Sequence, residues 1–256
     1  MDSLDDSSHE IIARTKRLKP LTVLKSVGPK LVPFFKTVAI FFVLFGKEEK
    51  SSIFFCIVKC LPVVSLIAFV LLHGMSFDEC YRYSRRILVG LIFSAIGDVF
   101  LVWKSSPGNL ELGLLSFAIA QIMYARAFGW RPLKPYPGSA FLVLGLVVYS
   151  YLQIYVTGLM AYLAPFYMTL ICTMAWRAMA RVQFYDDLWT WTKLCGCAGA
   201  VCFLISDLVI AINMFAVSIP CAHTIIMLTY YAAQFGISLS VVDSQADELI
   251  RIQKSQ

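Results

Sequence analysis

Residues 89–103 read Val-Gly-Leu-Ile-Phe-Ser-Ala-Ile-Gly-Asp-Val-Phe-Leu-Val-Trp, an apolar run with one acid, Asp98, inside it. A helix needs roughly 20 such residues to cross about 30 Å of hydrocarbon, and the surrounding apolar run, 87–103, comes close to that length. Seven more runs of this kind lie at 31–46, 53–73, 110–128, 138–156, 158–179, 193–214 and 219–240, the fifth and sixth divided only near Thr157 and Gly158. The whole chain is 59% hydrophobic and 15% charged over 256 residues, against about 45–50% apolar and about 25% charged for a soluble domain. So little charge cannot clothe a soluble surface of this size. The pattern predicts an all-α polytopic membrane helical bundle of eight transmembrane helices.

Basic residues orient the bundle, because cytoplasmic loops carry the excess of Lys and Arg. Sixteen of the 22 fall in the amino-terminal tail, in the loops on its side of the membrane and in the carboxyl-terminal tail, against Lys47, Lys50 and Lys104 on the other side. Both termini are therefore expected in the cytosol, which an even number of spans requires. The organisation that follows is a cytosolic tail over 1–30, one membrane domain over 31–240 and a second cytosolic tail over 241–256. The net charge of +6 comes from short scattered clusters that form no basic stripe, which sets nucleic acid aside. The acidic start, Asp2, Asp5, Asp6 and Glu10, lacks the apolar core of a cleaved signal peptide. Seven of the eight cysteines lie in or beside apolar runs, and only Cys80 sits in a polar segment, so no disulfide framework is expected.

Charge inside a membrane costs about 2.5–3.5 kcal/mol at a helix centre on insertion scales, so each such residue is a functional candidate. Asp98 and Asp207 are the two acids well inside spans, and they lie 11 residues after Ile87 and 14 after Lys193. At 1.5 Å per residue, these depths are about 16 and 21 Å. Two carboxylates at one depth can share a cavity, where burial and mutual repulsion let one hold a proton while the other stays ionised. Around them, Gln121 and Tyr124 fall three apart on span four, and Tyr230, Tyr231 and Gln234 share a turn of span eight. Lys59 lies in span two, three residues before Pro62. There is also an internal echo. F-S-A-I-G-D at 93–98 and C-F-L-I-S-D at 202–207 end alike, a short match that either a four-plus-four repeat with halves of parallel orientation or chance similarity between apolar helices accounts for.

Other chemistries fail on inventory. The three histidines, His9, His73 and His223, lie in the tail or at span ends, so no three-histidine zinc site forms within the bundle. There is no G-x-S-x-G elbow, no P-loop and no dinucleotide glycine pattern. No metal and no cofactor is implied.

With the opening stretch, five further motifs resemble the YhhN-like lysoplasmalogenase family: G-P-K-L-V-P-F-F at 28–35, K-C-L-P at 59–62, W-R-A-M-A at 176–180, F-L-I-S-D-L-V-I-A-I-N at 203–213 and T-Y-Y-A-A-Q at 229–234. They occur in order between residues 21 and 242. The resemblance implies an integral membrane hydrolase, in animals mainly of the endoplasmic reticulum. Such enzymes cleave the vinyl ether bond of lysoplasmalogens to a fatty aldehyde and glycerophosphocholine or glycerophosphoethanolamine. The family's G-D and S-D motifs match Asp98 and the Ser206–Asp207 pair, its K-x-L-P lysine matches Lys59, and its Y-Y-x-A-Q matches Tyr230, Tyr231 and Gln234. On span four the family usually carries a histidine where this chain has Gln121, and a glutamine cannot shuttle a proton at neutral pH.

The expected partners are a lysophospholipid substrate and bilayer lipids. In the expected chemistry, one aspartate protonates the vinyl carbon beta to oxygen and the other steadies the resulting cation and directs water. Lys59, or a boundary arginine such as Arg177, would take the phosphate. The alternative from another class is a proton-coupled lipid or solute transporter with the aspartates as relay groups, and a third is a non-catalytic lipid-binding scaffold.

Overall fold

The computed structural model describes residues 20–46, 48–73, 81–182 and 189–242. Among the described residues eight α-helices, one for each expected run, follow one another. They are α1 Pro20–Phe45, α2 Ile53–Leu72, α3 Arg82–Val102, α4 Asn109–Phe128, α5 Pro135–Leu152, α6 Met160–Ala180, α7 Trp189–Ala211 and α8 Ala222–Leu239, with a π-helical turn, Ile212–Ala216, extending α7. Among the described residues there is no strand. The chain is thus an all-α polytopic membrane bundle. The expected acidic tail and Cys80 lie outside the described residues.

One helix boundary departs from its apolar run for a physical reason that the packing shows. Helix α5 stops at Leu152, although the apolar run continues to Val156. The chain turns there through Gly158, whose φ of 65° suits a residue without a side chain. Leu152, Val156 and Met160 remain buried, packed against Leu110, Leu114 and Phe215. This turn is apolar because it covers a core, and composition alone cannot separate that from helix.

By length and apolarity, α1, α2, α4, α5 and α7 are each sufficient to cross a membrane. Helices α3, α6 and α8 are diluted by polar groups, many of which face inward: Ser94 and Asp98 on α3, Arg177 on α6, and Gln234 and Ser238 on α8 are all buried.

Small residues set the two closest helix pairs, as expected where lipid supplies no hydrophobic drive for helix association. A Cβ on Gly90 would lie 2.2 Å from the ring of Tyr124, and one on Gly97 would lie 2.7 Å from that of Phe117. Seven residues apart on α3, these glycines seat two aromatics seven apart on α4. Helices α7 and α8 approach more tightly still. A Cβ on Gly199 would sit 2.7 Å from Ala233 O, and one on Gly236 would sit 2.6 Å from Cys195 O. This crossing brings Tyr230 to Phe203, ring centroids 5.6 Å apart, and Phe117 closes the cluster at 6.0 Å from Tyr230. The aromatic trio joins α4, α7 and α8.

Candidate active site

Between these helices lies a cavity of about 150 Å³, with walls from α2 to α8. Its lining is apolar except for Lys59, Asp98, Tyr167, Ser206, Asp207 and Tyr230. The apolar part extends along Leu114 and Val148 to Leu152, Val156 and Met160 at the α5–α6 turn. Both aspartates expected at one depth therefore face one chamber.

The partners of the two acids are unlike. Asp98 is buried, its Oδ1 3.4 Å from Lys59 Nζ and its Oδ2 accepting from Tyr230 Oη at 2.6 Å. Lys59 is held from behind, because Tyr231 Oη donates to the Lys59 main-chain oxygen at 2.9 Å. Asp207 is half-buried and accepts from the hydroxyl of Tyr167, which in turn accepts from Gln121 Nε2 at 3.4 Å. Among the described residues no cation pairs with Asp207. Ser206 does not bond a neighbouring site residue; its Oγ donates to Ile226 O at 3.2 Å and ties α7 to α8.

Behind the cavity wall a second layer of buried polar groups connects the two sides. Tyr124 Oη donates to Gln234 Oε1 at 2.9 Å and lies 3.3 Å from Ser94 Oγ. Gln121 and Gln234 are both fully buried, and among the described residues each leaves half its amide without a hydrogen-bond partner, Oε1 of Gln121 and Nε2 of Gln234. Such groups are rare in folded chains because each costs about 1–3 kcal/mol, and they mark this layer as a place where polarity is kept against stability.

Of the residues singled out in the sequence, Lys59, Asp98, Ser206, Asp207 and Tyr230 line the cavity, while Gln121, Tyr124, Tyr231 and Gln234 support it from behind. Arg177 is not brought to this group. It is fully buried near the end of α6, donating from Nε to Gly129 O at 2.6 Å and from Nη2 to Pro132 O at 3.0 Å. Its guanidinium also lies 5.2 Å from the Trp176 ring and 5.7 Å from that of Trp130. These contacts fix the α4–α5 loop. Tyr167 is the lining residue that the sequence reading missed. A signal was present: Tyr167, Ile171, Met174 and Ala178 form the buried stripe of α6 at helical spacing, so the hydroxyl had to point inward.

The sequence model of the YhhN family matches residues 54–241, which contain every polar group of the cavity. The chain belongs to the YhhN family. Curated members of similar sequence include lysoplasmalogenase TMEM86A of Bos taurus, 43% identical over 228 residues, which cover 89% of this chain and 95% of that protein. Lysoplasmalogenase TMEM86A of Homo sapiens is 42% identical over 228 residues, with the same two coverages. Lysoplasmalogenase TMEM86B of Sus scrofa is 37% identical over 220 residues, or 85% of this chain and 88% of that protein. No solved structure matches the chain.

Proposed function

We propose that this YhhN-family chain is a membrane-embedded hydrolase that cleaves the vinyl ether bond of lysoplasmalogens. The products are a fatty aldehyde and glycerophosphocholine or glycerophosphoethanolamine. The observation that carries the reading is the pair of aspartates in one largely apolar chamber, one matched to a lysine and the other to a tyrosine. The names of the similar proteins support the substrate class.

The unlike partners support unlike roles. In this reading Asp98, whose Oδ1 faces the Lys59 ammonium at 3.4 Å, serves as the carboxylate of the pair. Asp207, in apolar surroundings without a cation, holds the proton. A protonated carboxyl still accepts the Tyr167 hydrogen bond at one oxygen, leaving the other to present its proton to the chamber. Asp207 donates that proton to the vinyl carbon beta to oxygen, and the adjacent carbon and oxygen become an oxocarbenium ion. The Asp98 carboxylate steadies this cation and accepts a proton from the water that attacks it, giving a hemiacetal. In the collapse, Asp207 takes the hemiacetal hydroxyl proton while Asp98 returns its own to the departing glycerol oxygen. Aldehyde and alcohol leave, and both carboxyls regain their starting states.

The apolar wall running to Leu152, Val156 and Met160 suits the single chain of a lysolipid. Gln121 acts through Tyr167 as a positioning residue, a role that a glutamine can fill without moving a proton itself. The basic bias of one set of loops supports cytosolic placement of both termini, and the family resemblance supports the endoplasmic reticulum membrane. The test is release of long-chain aldehyde by the purified protein from lysoplasmenylcholine. Aldehyde formation that is lost in Asp207→Asn is expected; movement of intact lipid across a vesicle membrane with no aldehyde would replace the reading with a transporter.

A further inference from the structure

We propose that Lys59 is an aldehyde-binding residue, whose amine captures the fatty aldehyde in the cavity as an imine and delays its departure. The inference rests on the hydrolase reading for the source of the aldehyde, but its geometry stands on the cavity alone. Lys59 is 5% exposed and lines the apolar chamber. Its Nζ lies 3.4 Å from Asp98 Oδ1, longer than the roughly 2.7–2.9 Å of a tight charge-assisted bond, and among the described residues it has no other hydrogen-bond partner. Tyr230 occupies the second oxygen of Asp98 at 2.6 Å, and Tyr231 holds the Lys59 backbone. The amine is thus aimed at the chamber, loosely restrained, with a carboxylate beside it.

A desolvated lysine next to a proton acceptor is the arrangement that makes an amine nucleophilic toward carbonyls. When an aldehyde is bound, the ammonium passes its proton transiently to the Asp98 carboxylate, a transfer that apolar surroundings make accessible because it exchanges two buried charges for two neutral groups. The neutral amine then adds through its lone pair to the aldehyde carbon. Asp98 supplies a proton to the carbonyl oxygen and recovers one from the nitrogen, giving a carbinolamine. Donating that proton to the carbinolamine hydroxyl, Asp98 expels water and leaves a protonated imine paired with its own carboxylate. One aldehyde and one ammonium have become one protonated imine and one water, and the charge pair is restored. Hydrolysis by the reverse route frees the product, so the adduct is a reversible hold on a reactive aldehyde.

The test uses the purified full chain in detergent, hexadecanal as the probe and sodium borohydride to reduce any imine to a stable secondary amine, with the modified lysine located by peptide mass mapping. Lys36, exposed on α1, serves as the internal reference. Labelling of Lys59 at hexadecanal concentrations at least tenfold below those that label Lys36 is expected. Labelling of Lys59 no sooner than Lys36, or not at all, overturns the proposal, and because the site is read from the parent chain no variant has to fold. The same trap run with lysoplasmenylcholine separates the two readings. If hexadecanal labels Lys59 but the lipid yields no aldehyde, the hydrolase reading fails and Lys59 remains an aldehyde site. If the lipid yields aldehyde and Lys59 stays unlabelled under both conditions, only the present inference fails.

Discussion

The two halves of the chain place corresponding side chains around one cavity and then differ at one of them. Lys59 lies six residues into α2, and Tyr167 lies seven into α6, while Asp98 stands on α3 and Asp207 on α7. Gln121 and Gln234 each stand 12 residues after the start of their helices, α4 and α8. At matched positions, the first half thus sets a lysine against its acid and the second half a tyrosine. On the proposed mechanism, this difference in partners is what would separate the two carboxyls into an acid and a base.

The comparison breaks most visibly at Asp207. Asp207→Asn is expected to lower aldehyde release by about 10²- to 10⁴-fold, the usual contribution of a general acid, with melting temperature little changed; equal rates in parent and variant would remove it from the reaction. Breaking the other half should act first on the fold. Lys59→Met leaves Asp98 buried without its cation and is expected to cost about 3–5 kcal/mol, measured by thermal unfolding in detergent. Adding Asp98→Asn to that variant should restore most of the stability and none of the activity. If the double variant is no more stable than the single one, the pair is not what Lys59 serves.

The residues just before the acids sharpen the same contrast. Gly97 has the Phe117 ring where a side chain would go, whereas Ser206 spends its hydroxyl on Ile226 O. Gly97→Ser should therefore destabilise by about 1–3 kcal/mol through overpacking, and Ser206→Ala by about 1 kcal/mol through one lost hydrogen bond. Similar losses would mean that the helix pairs are packed alike. Smallest is Tyr167→Phe, which removes one hydrogen bond to Asp207 and should reduce kcat about 3- to 10-fold with KM unchanged. A change confined to KM would make Tyr167 a substrate contact only.

Much of this arrangement was legible in the amino-acid order. Eight helical runs could be counted from their apolar length, five of them apolar enough along the described residues to cross a membrane, and Asp98, Asp207 and Lys59 stood out because charge is scarce in such runs. The helix offsets alone placed the aspartates at one level, and the cavity joins them. What could not be read were the partners, since each is set by a different helix. Tyr167 looked like any tyrosine in a span until its stripe on α6 met α4 and α7. Arg177 looked like a phosphate ligand because boundary arginines often are, but the carbonyls of Gly129 and Pro132, 48 and 45 residues away in sequence, claim it. The break at Leu152 was hidden by a turn as apolar as the helices beside it.

The location of the proton between the two acids can be observed directly by infrared spectroscopy of the purified protein at neutral pH, through the stretching band of a buried protonated carboxyl. The account predicts one such band in the parent, absent in Asp207→Asn and retained in Asp98→Asn. A band that survives in Asp207→Asn and disappears in Asp98→Asn would place the proton on the lysine-paired acid and contradict the assignment of roles.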